Sequence, residues 1–378
     1  VSFYGGYDTF EYGIFTYNQT TNQTYFTEIL GGNLRIGKVA LDTNLGNVIG
    51  GVSTLNGLFY KFEISENSAP VLIVSYSVLL GSFANVVNVL FSPILNKYYL
   101  VQSGIALDLM VVLDATDKDD QDIIANTEIN YNNVYSIYCP STDEIWLINT
   151  NSDTLVVVDC ATQGATPTNL NVYIGVDTFD YGAITYDSER DRILIASNLT
   201  LLIFDPNSVL PFQPIAVYTF SGLGAIPPDC SQLMYIPNVD LVAYKPSPFN
   251  TKILFLNANF TENPPQPNEV VIDAVTLPDI IFTGTKDNGV YISSRGETGI
   301  YGYEFPISTG AISFTDAESY NFFNQSLSED NKKVSCVKVV SSDQAQLVNN
   351  FDVLTKDASG NQRQEQISPI VKVSTFQQ

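Results

Sequence analysis

Short apolar segments separated by polar turns recur along almost the whole chain. The stretch Tyr181–Asn207 contains three of them, Gly182–Tyr186, Ile193–Ala196 and Leu201–Phe204, and the turn Asp187–Asp191 separates the first two. Apolar segments of this length between turn residues are typical of strands. No part of the chain shows a sustained 3.6-residue apolar period with helix caps. The pattern therefore predicts an all-β protein with almost no helix.

The three-segment unit recurs at a near-constant spacing. The second segment of successive units begins 47 to 57 residues after the previous one, near Val48, Tyr98, Ile145, Ile193, Leu241, Val290 and Leu347. A fourth apolar segment often follows the third, as in Val71–Val74 and Ile215–Tyr218. Four strands per unit and seven units of this length predict a seven-bladed β-propeller with four-stranded antiparallel blades.

The two ends of the chain are expected to share the last blade. Residues 1–36 contain a hairpin, Gly13–Tyr17 and Tyr25–Leu30, that has no unit of its own, and the last unit has no strand-like third segment after Leu347. The hairpin would then supply outer strands. A local echo of residues 177–185 in residues 8–16 would instead make it an inner pair.

The predicted propeller spans residues 1–355, and residues 356–378 form a polar linker that ends in a terminal strand, Pro369–Phe376. This strand is rich in β-branched residues and alternates in polarity. It pairs either with the last blade of its own chain or with an open sheet edge of a neighbouring subunit. The second arrangement would build a homo-oligomer or a filament.

Several third segments end in an apolar pair followed by Asp and a turn, namely Val112–Asp114, Val157–Asp159 and Ile203–Asp205. This ending resembles the strand ends of the YVTN, NHL and quinoprotein-like propellers. The resemblance covers most of the chain and implies the propeller fold. Because propellers host unrelated functions, the resemblance implies no particular activity.

Charge and composition exclude several functions. The chain has 40 acidic and 17 basic residues, a formal net charge of −23, which disfavours binding to nucleic acids and to anionic membrane surfaces. It contains no histidine, so Ser-His-Asp catalysis and histidine zinc sites are excluded. The most apolar stretch, residues 71–91, is broken by serines, asparagines and a glycine, so no membrane insertion is expected.

Cysteines and glycosylation sequons indicate an extracellular protein. The chain begins at Val1 without a visible signal peptide, which we interpret as a mature secreted form. Four cysteines without a CxxC motif predict two disulfides, Cys139–Cys160 and Cys230–Cys336, although buried free thiols are the alternative. Sequons predict N-linked glycans at Asn18, Asn22, Asn198, Asn259 and Asn324.

Two acidic groups are candidates for chemistry. Asp117, Asp119 and Glu128 loosely match the spacing of a calcium loop, and the alternative is a solvated acidic loop. Carboxylates also precede predicted first strands near one mouth of the central channel, at Asp8, Glu11, Asp177 and Asp180. Such carboxylates could act as acid and base without histidine, or they could simply stabilise turns. Calcium is the one cofactor to consider.

The sequence favours a secreted, glycosylated structural or interaction propeller that self-associates and has no catalytic activity. The first alternative is a hydrolase at the channel mouth, either a calcium-dependent lactonase or a carboxylate glycosidase. The second is a carbohydrate-binding lectin. Aromatic residues are plentiful, with 22 Tyr and 22 Phe, but they fall mostly on strands, and we expect Trp146 in the core.

Overall fold

The structure is a computed structural model, and it describes most of the strands and the turns between residues 36 and 258. The described ranges are 3–7, 13–18, 23–28, 36–53, 58–65, 67–78, 85–103, 109–119, 121–128, 135–149, 154–161, 168–170, 183–197, 200–208, 214–220, 232–237, 240–245, 252–258, 269–273, 280–286, 289–294, 299–304, 317–321, 334–339, 351–356 and 362–367. Among these residues no helix is long and apolar enough to cross a membrane.

The strands pair into four-stranded antiparallel sheets, which we call blades. Blade 1 contains β4 (Ile36–Asp42), β5 (Val48–Ser53), β6 (Leu58–Ser65) and β7 (Ser68–Ser77). Blade 2 contains β8 (Asn85–Ser92), β9 (Lys97–Ser103), β10 (Leu109–Asp114) and β11 (Ile123–Glu128). Blade 3 contains β12 (Tyr135–Cys139), β13 (Glu144–Asn149), β14 (Thr154–Asp159) and β15 (Thr168–Leu170).

The later blades repeat this arrangement. Blade 4 contains β16 (Ala183–Asp187), β17 (Arg192–Ser197), β18 (Thr200–Phe204) and β19 (Ala216–Thr219). Blade 5 contains β20 (Gln232–Ile236), β21 (Leu241–Lys245), β22 (Lys252–Asn257) and β23 (Glu269–Asp273). Blade 6 contains β24 (Ile280–Lys286), β25 (Gly289–Ser294), β26 (Gly299–Glu304) and β27 (Ala317–Asn321). The predicted all-β class with four-stranded antiparallel sheets is confirmed.

A further sheet combines strands from both ends of the chain. Its order is β28 (Val334–Val339), β1 (Phe3–Tyr7), β2 (Gly13–Asn18) and β3 (Gln23–Glu28). We call it the terminal sheet. The hairpin predicted from the sequence thus forms strands three and four of this sheet. The partner strand predicted near Leu347 lies outside the described residues.

The last described strands, β29 (Phe351–Lys356) and β30 (Gln362–Ile367), form a separate hairpin. β30 lies within the segment that the sequence predicts as a linker, and the division of the chain at residue 355 stays a prediction. Residues 362–366 are polar, and backbone pairing in a hairpin does not require an apolar face. The predicted terminal strand, Pro369–Phe376, lies outside the described residues.

The second and third strands of a blade are buried on both faces because each blade packs between two neighbours. In β13, Ile145 and Leu147 pack in a cluster with Tyr99 of blade 2. The alternate residues Trp146 and Ile148 pack on the other side, with strands of blade 4. Side chains of successive strand residues point to opposite faces, so both sets must be apolar. The predicted core position of Trp146 is confirmed, since its side chain is fully buried.

Gly50 on β5 marks a close approach between blades 1 and 2. A Cβ atom built on Gly50 would lie 2.5 Å from Cζ of Phe59 and 2.7 Å from Cε1 of Tyr98, inside van der Waals contact. The rings of Phe59 and Tyr98 meet edge to face, with centroids 5.2 Å apart. Glycine is therefore required here for space.

The first strands of neighbouring sheets contact one another in cyclic order. The contacts run from β4 to β8, β12, β16, β20, β24 and β28, and β28 in turn contacts β4. At the outer rim, the hydroxyls of Thr16 and Thr27 on the terminal sheet donate hydrogen bonds to the carbonyls of Ser68 and Pro70 on β7. These two bonds occupy carbonyls on the outer strand of blade 1.

Candidate functional site

The described first turns, which connect the first and second strands of blades 1 to 5, lie side by side, since hydrogen bonds join neighbouring turns. In an antiparallel blade the connection between the third and fourth strands lies at the same edge of the sheet. We call this edge of the blades the turn face. Each described first turn contains one residue with a positive φ angle, at Gly46 (73°), Asn96 (52°), Asp143 (53°), Asp191 (51°) and Asp240 (54°). Gly, Asn and Asp tolerate this left-handed conformation better than other residues.

The left-handed aspartates accept hydrogen bonds from a tyrosine of their own blade. The tyrosine ends or nearly ends the first strand, and the aspartate follows five residues later. The hydroxyl-to-carboxylate distances are 2.8 Å for Tyr138 and Asp143, 2.8 Å for Tyr186 and Asp191, and 3.2 Å for Tyr235 and Asp240. Each bond closes the turn, because it ties the strand end to the residue that begins the next strand.

The same left-handed side chains accept a hydrogen bond from the preceding blade. Asn44 Nδ2 donates to Asn96 Oδ1, and Ser92 Oγ donates to Asp143 Oδ1 at 2.8 Å. The side chain of Ser141 hydrogen-bonds Asp191, and Arg190 Nη1 donates to Asp240 Oδ1 at 2.6 Å. The turns of blades 1 to 5 are thereby joined in series.

A buried ion pair reinforces the junction of blades 4 and 5. Asp187 is fully buried, and its carboxylate accepts hydrogen bonds from Arg192 Nε at 3.1 Å and from the backbone N–H of Glu189 at 3.1 Å. Arg192 Nη2 also donates to the carbonyl of Ala258, at the end of β22, at 2.8 Å. The charges are therefore paired and hydrogen-bonded within the protein, as burial demands.

The hydrogen bond between Tyr186 and Asp191 shifts the pKa values of the two groups in opposite directions. Burial, together with the hydrogen bond to Asp191, raises the pKa of Tyr186 to about 12. Burial also acts to raise the pKa of Asp191, but hydrogen bonds from Ser141, Tyr186 and Asn207 outweigh it and lower that pKa below its ordinary value. Both shifts favour the protonated phenol and the ionised carboxylate, which are the forms that make this hydrogen bond.

The predicted disulfide between Cys139 and Cys160 is wrong, because both are buried free thiols. Cys139 packs with Trp146 on the side of blade 4, whereas Cys160 packs with Tyr99 on the side of blade 2. Two cysteines on opposite faces of a blade cannot bridge. Burial raises the pKa of the Cys160 thiol to about 12, so it is unreactive. Cys230 lies outside the described residues, so the Cys230–Cys336 bridge stays a prediction.

The predicted calcium ligands are not brought together. Asp117 and Asp119 lie on the connection between β10 and β11, while Glu128 lies at the far end of β11, about 17 Å beyond Ile123 at a rise of about 3.4 Å per residue. The carbonyls of Asp114 and Asp117 accept hydrogen bonds from Lys61 Nζ at 3.2 and 3.3 Å. Among the described residues no cluster of acidic or cysteine side chains could hold a metal ion.

Other predicted site residues lie outside the described part of the chain. These are the channel-mouth carboxylates Asp8, Glu11, Asp177 and Asp180 and the sequon residues Asn22, Asn198, Asn259 and Asn324. Asn18 is the last residue of β2 and pairs with Gln23 of β3. The sequons at Asn18 and Asn22 therefore flank the tip of this hairpin.

Sequence reasoning missed the joined turns. Its signal was an aromatic residue five positions before an Asp or Asn, which recurs with the repeat at Phe91 and Asn96, Tyr138 and Asp143, Tyr186 and Asp191, and Tyr235 and Asp240. Arg190 and Arg192 carry no comparable periodic signal, since no other described first turn has a basic residue at the position of Arg190, and only Lys97 of blade 2 matches the position of Arg192.

We expect the Asp187→Asn substitution to destabilise the protein, because it leaves the buried Arg192 guanidinium without its counter-charge. The expected loss in free energy of unfolding is about 3 kcal/mol, measured by urea denaturation. Glu189→Gln changes an exposed neighbour in the same turn and should alter this energy by less than about 0.5 kcal/mol. Equal unfolding midpoints for the two variants would contradict this account of the junction.

The lowered pKa of Asp191 makes its contribution to stability dependent on pH. A carboxylate whose pKa is depressed in the folded state stabilises the protein fully above the unfolded pKa of about 3.9 and loses that effect as the pH falls through the folded value. Asp191→Asn should therefore lower the melting temperature at pH 6 and have a shrinking effect towards pH 2. Asp119→Asn, on an exposed connection, is the control. A difference between wild type and Asp191→Asn that stays constant with pH would refute this role.

Comparison with known proteins places this fold among the propellers. No family model and no curated protein matches the chain. Among solved structures it is similar to a Pseudomonas aeruginosa periplasmic gluconolactonase, with a TM-score of 0.64, 6% identity and coverage of 90% of this chain and 99% of that one. A candidate 6-phosphogluconolactonase from Bacteroides uniformis gives a TM-score of 0.64 at 11% identity, covering 89% of this chain and 98% of that one.

The β-propeller domain of Cps50 (Swd1) from Myceliophteria thermophila is similar as well, with a TM-score of 0.54, 13% identity and coverage of 77% of this chain and 87% of that one. Identities this low carry information about the fold alone. The predicted resemblance to propellers is confirmed: the chain has an all-β, propeller-like fold built from four-stranded antiparallel sheets.

Proposed function

We propose that this protein is a secreted, glycosylated interaction propeller without catalytic activity. The observation that carries the proposal is the state of the carboxylates on the described turn face. Asp143, Asp187, Asp191 and Asp240 all accept hydrogen bonds that close a turn or join two blades. Groups engaged in this way maintain a rigid scaffold, and a rigid scaffold presents its surface to partners at low entropic cost.

The secretory assignment is supported by where the sequons fall in the chain. Asn18 ends β2 and Asn22 precedes β3, so both belong to a hairpin tip. Asn198 falls between Ser197 and Thr200, which are the last register pair of β17 and β18. Sequons between paired strands fit N-glycosylation, which occurs at the surface of secreted proteins. The buried thiols of Cys139 and Cys160 are compatible with an oxidising compartment because neither reaches solvent.

The propeller proposed here has seven blades, and the terminal sheet is the blade that both chain ends share. This arrangement is supported by the cyclic contacts of the first strands and by the pairing of β28 with β1, in which Gly5 is the register partner of Val337. Closing a ring in this way removes open sheet edges from the interior. The terminal strand, Pro369–Phe376, is proposed to mediate self-association.

Deleting residues 1–28 should test ring closure. The deletion removes β1, β2 and β3 and leaves the edge of β28 unpaired, so we expect aggregation or loss of cooperative unfolding. Removing residues 368–378 is the control. It should leave the melting temperature unchanged and, if the terminal strand binds a neighbouring subunit, abolish oligomers in light scattering. A monomeric 1–28 deletion that melts like the wild type would refute the shared blade.

Lactone hydrolysis is the second candidate function. It is favoured by the similarity to the gluconolactonase and the candidate 6-phosphogluconolactonase described above, together with Asp8, Glu11, Asp177 and Asp180 at the predicted channel mouth. A carboxylate glycosidase would use the same residues. The lectin alternative has less support, because none of the aromatic side chains whose burial the structure describes is exposed.

An assay with glucono-δ-lactone separates the two candidates. For an interaction propeller we expect the lactone to open no faster than it does spontaneously, with or without added calcium. The double substitution Asp177→Asn and Asp180→Asn should change nothing. Turnover by the wild-type protein that this double variant abolishes, while Asp119→Asn retains it, would establish the lactonase and overturn the proposed function.

A further inference from the structure

We propose that the turn face of blades 1 and 2 is a docking surface for a cationic polypeptide segment that carries an aliphatic or aromatic anchor residue. This inference rests on the proposed interaction function and names the partner's chemistry. The surface, which we call the blade 1–2 patch, consists of Leu45, Ile94, Asp117, Asp119 and Ile123. The first two belong to first turns, Asp117 and Asp119 belong to the connection between β10 and β11, and Ile123 is the first residue of β11.

The aliphatic residues of the patch are unusually exposed for their positions. The exposed fraction is 61% for Ile94, 41% for Leu45 and 39% for Ile123. The residues that correspond to Ile94 in the turns of blades 1, 3 and 4 are polar, namely Asn44, Ser141 and Glu189. Leu95, which corresponds to Leu45, packs partly against the core between blades 2 and 3. The conformation of the first turns therefore does not require apolar side chains at positions 45 and 94.

An acidic rim lies beside the first turn of blade 1, where Asn47 Nδ2 donates to Glu63 Oε1 at 3.3 Å and Glu63 contacts the connection between β10 and β11. Asp117, Asp119 and Asp122 are all exposed on the connection between β10 and β11. The one basic residue described on that connection, Lys118, is paired with Glu63 of blade 1 at 3.2 Å. The rim is thus negative, in a chain whose formal net charge is −23. Complementarity of charge then selects a cationic partner and repels nucleic acids and anionic lipids.

Bonds across the blade boundary hold the patch in one geometry. Asn44 Nδ2 donates to the carbonyl of Pro93 at 2.6 Å, which fixes the turn of Leu45 beside the turn of Ile94. Lys61 Nζ donates to the carbonyl of Asp117 at 3.3 Å, and this anchors the acidic connection to blade 1. A preorganised surface loses little conformational entropy when a partner binds.

The occupant follows from this combination of groups. Exposed leucine and isoleucine side chains gain free energy when an apolar anchor covers them. The carboxylates of the acidic rim favour Lys or Arg beside the anchor. A neutral apolar segment would make no ion pairs with the acidic rim. A purely basic segment would leave the side chains of Leu45 and Ile94 exposed to solvent.

The test is a fluorescence-anisotropy titration of the full chain with a labelled peptide of repeating Lys and Leu. We expect the double substitution Leu45→Ser and Ile94→Ser to raise the Kd by about tenfold or more, since two anchor contacts are lost. Ile215→Ser with Val217→Ser removes equally exposed aliphatic side chains from the outer strand of blade 4. This control should leave the Kd within about twofold.

A second variant tests the rim without touching the apolar residues. Asp117→Asn with Asp119→Asn should weaken binding and flatten its dependence on salt concentration. The patch is refuted if the control weakens binding as much as Leu45→Ser with Ile94→Ser, or if leucine-free oligolysine binds as tightly as the mixed peptide. Either result would refute the patch but leave the proposed interaction function in place. Lactone turnover by the wild-type protein would refute the interaction function, whatever the outcome of the titration.

Discussion

The structure depends on one constraint: the middle strands of each blade have two faces to bury, and each face needs a different neighbour. Ile145 faces blade 2, and Trp146, the next residue, faces blade 4. A single blade therefore lacks a core of its own and is stable only between two others, as in other repeat architectures. Closure follows from the same constraint, because an end blade without a neighbour would expose a whole apolar face.

The polar groups of the turn face set the alignment of neighbouring blades, which apolar packing alone leaves undetermined. Apolar contacts between sheets are not directional, so they do not by themselves set how neighbouring blades are aligned. The hydrogen bonds from Ser92 to Asp143 and from Arg190 to Asp240 are directional and join specific turns. The cost of desolvating Asp187 is met by Arg192 and by backbone N–H groups, so the junction gains specificity without an unpaired charge.

Strands were predictable between residues 36 and 258 because apolar packing on both faces leaves continuous apolar segments in the sequence. The face of the sheet on which a given side chain lies was not predictable. Cys139 is in register with Glu144, and Glu144 with Asp159, so Cys160 falls one residue further and on the other face. The spacing of the two cysteines along the chain therefore predicted a bridge that the strand register does not allow. The calcium loop spacing likewise assumed a compact loop, whereas β11 places Glu128 at its far end, away from Asp117 and Asp119.

The joined turns also bear on where function can lie. A left-handed Asp that accepts bonds from its own tyrosine and from the preceding blade cannot change without loosening two contacts, so these positions have little freedom to acquire chemistry. Leu45 and Ile94 carry no such duty, because neither side chain closes a turn nor joins a blade through a hydrogen bond. A partner-binding surface can therefore arise at these positions at little expense to the scaffold, and the proposed docking surface uses the apolar side chains that are exposed there.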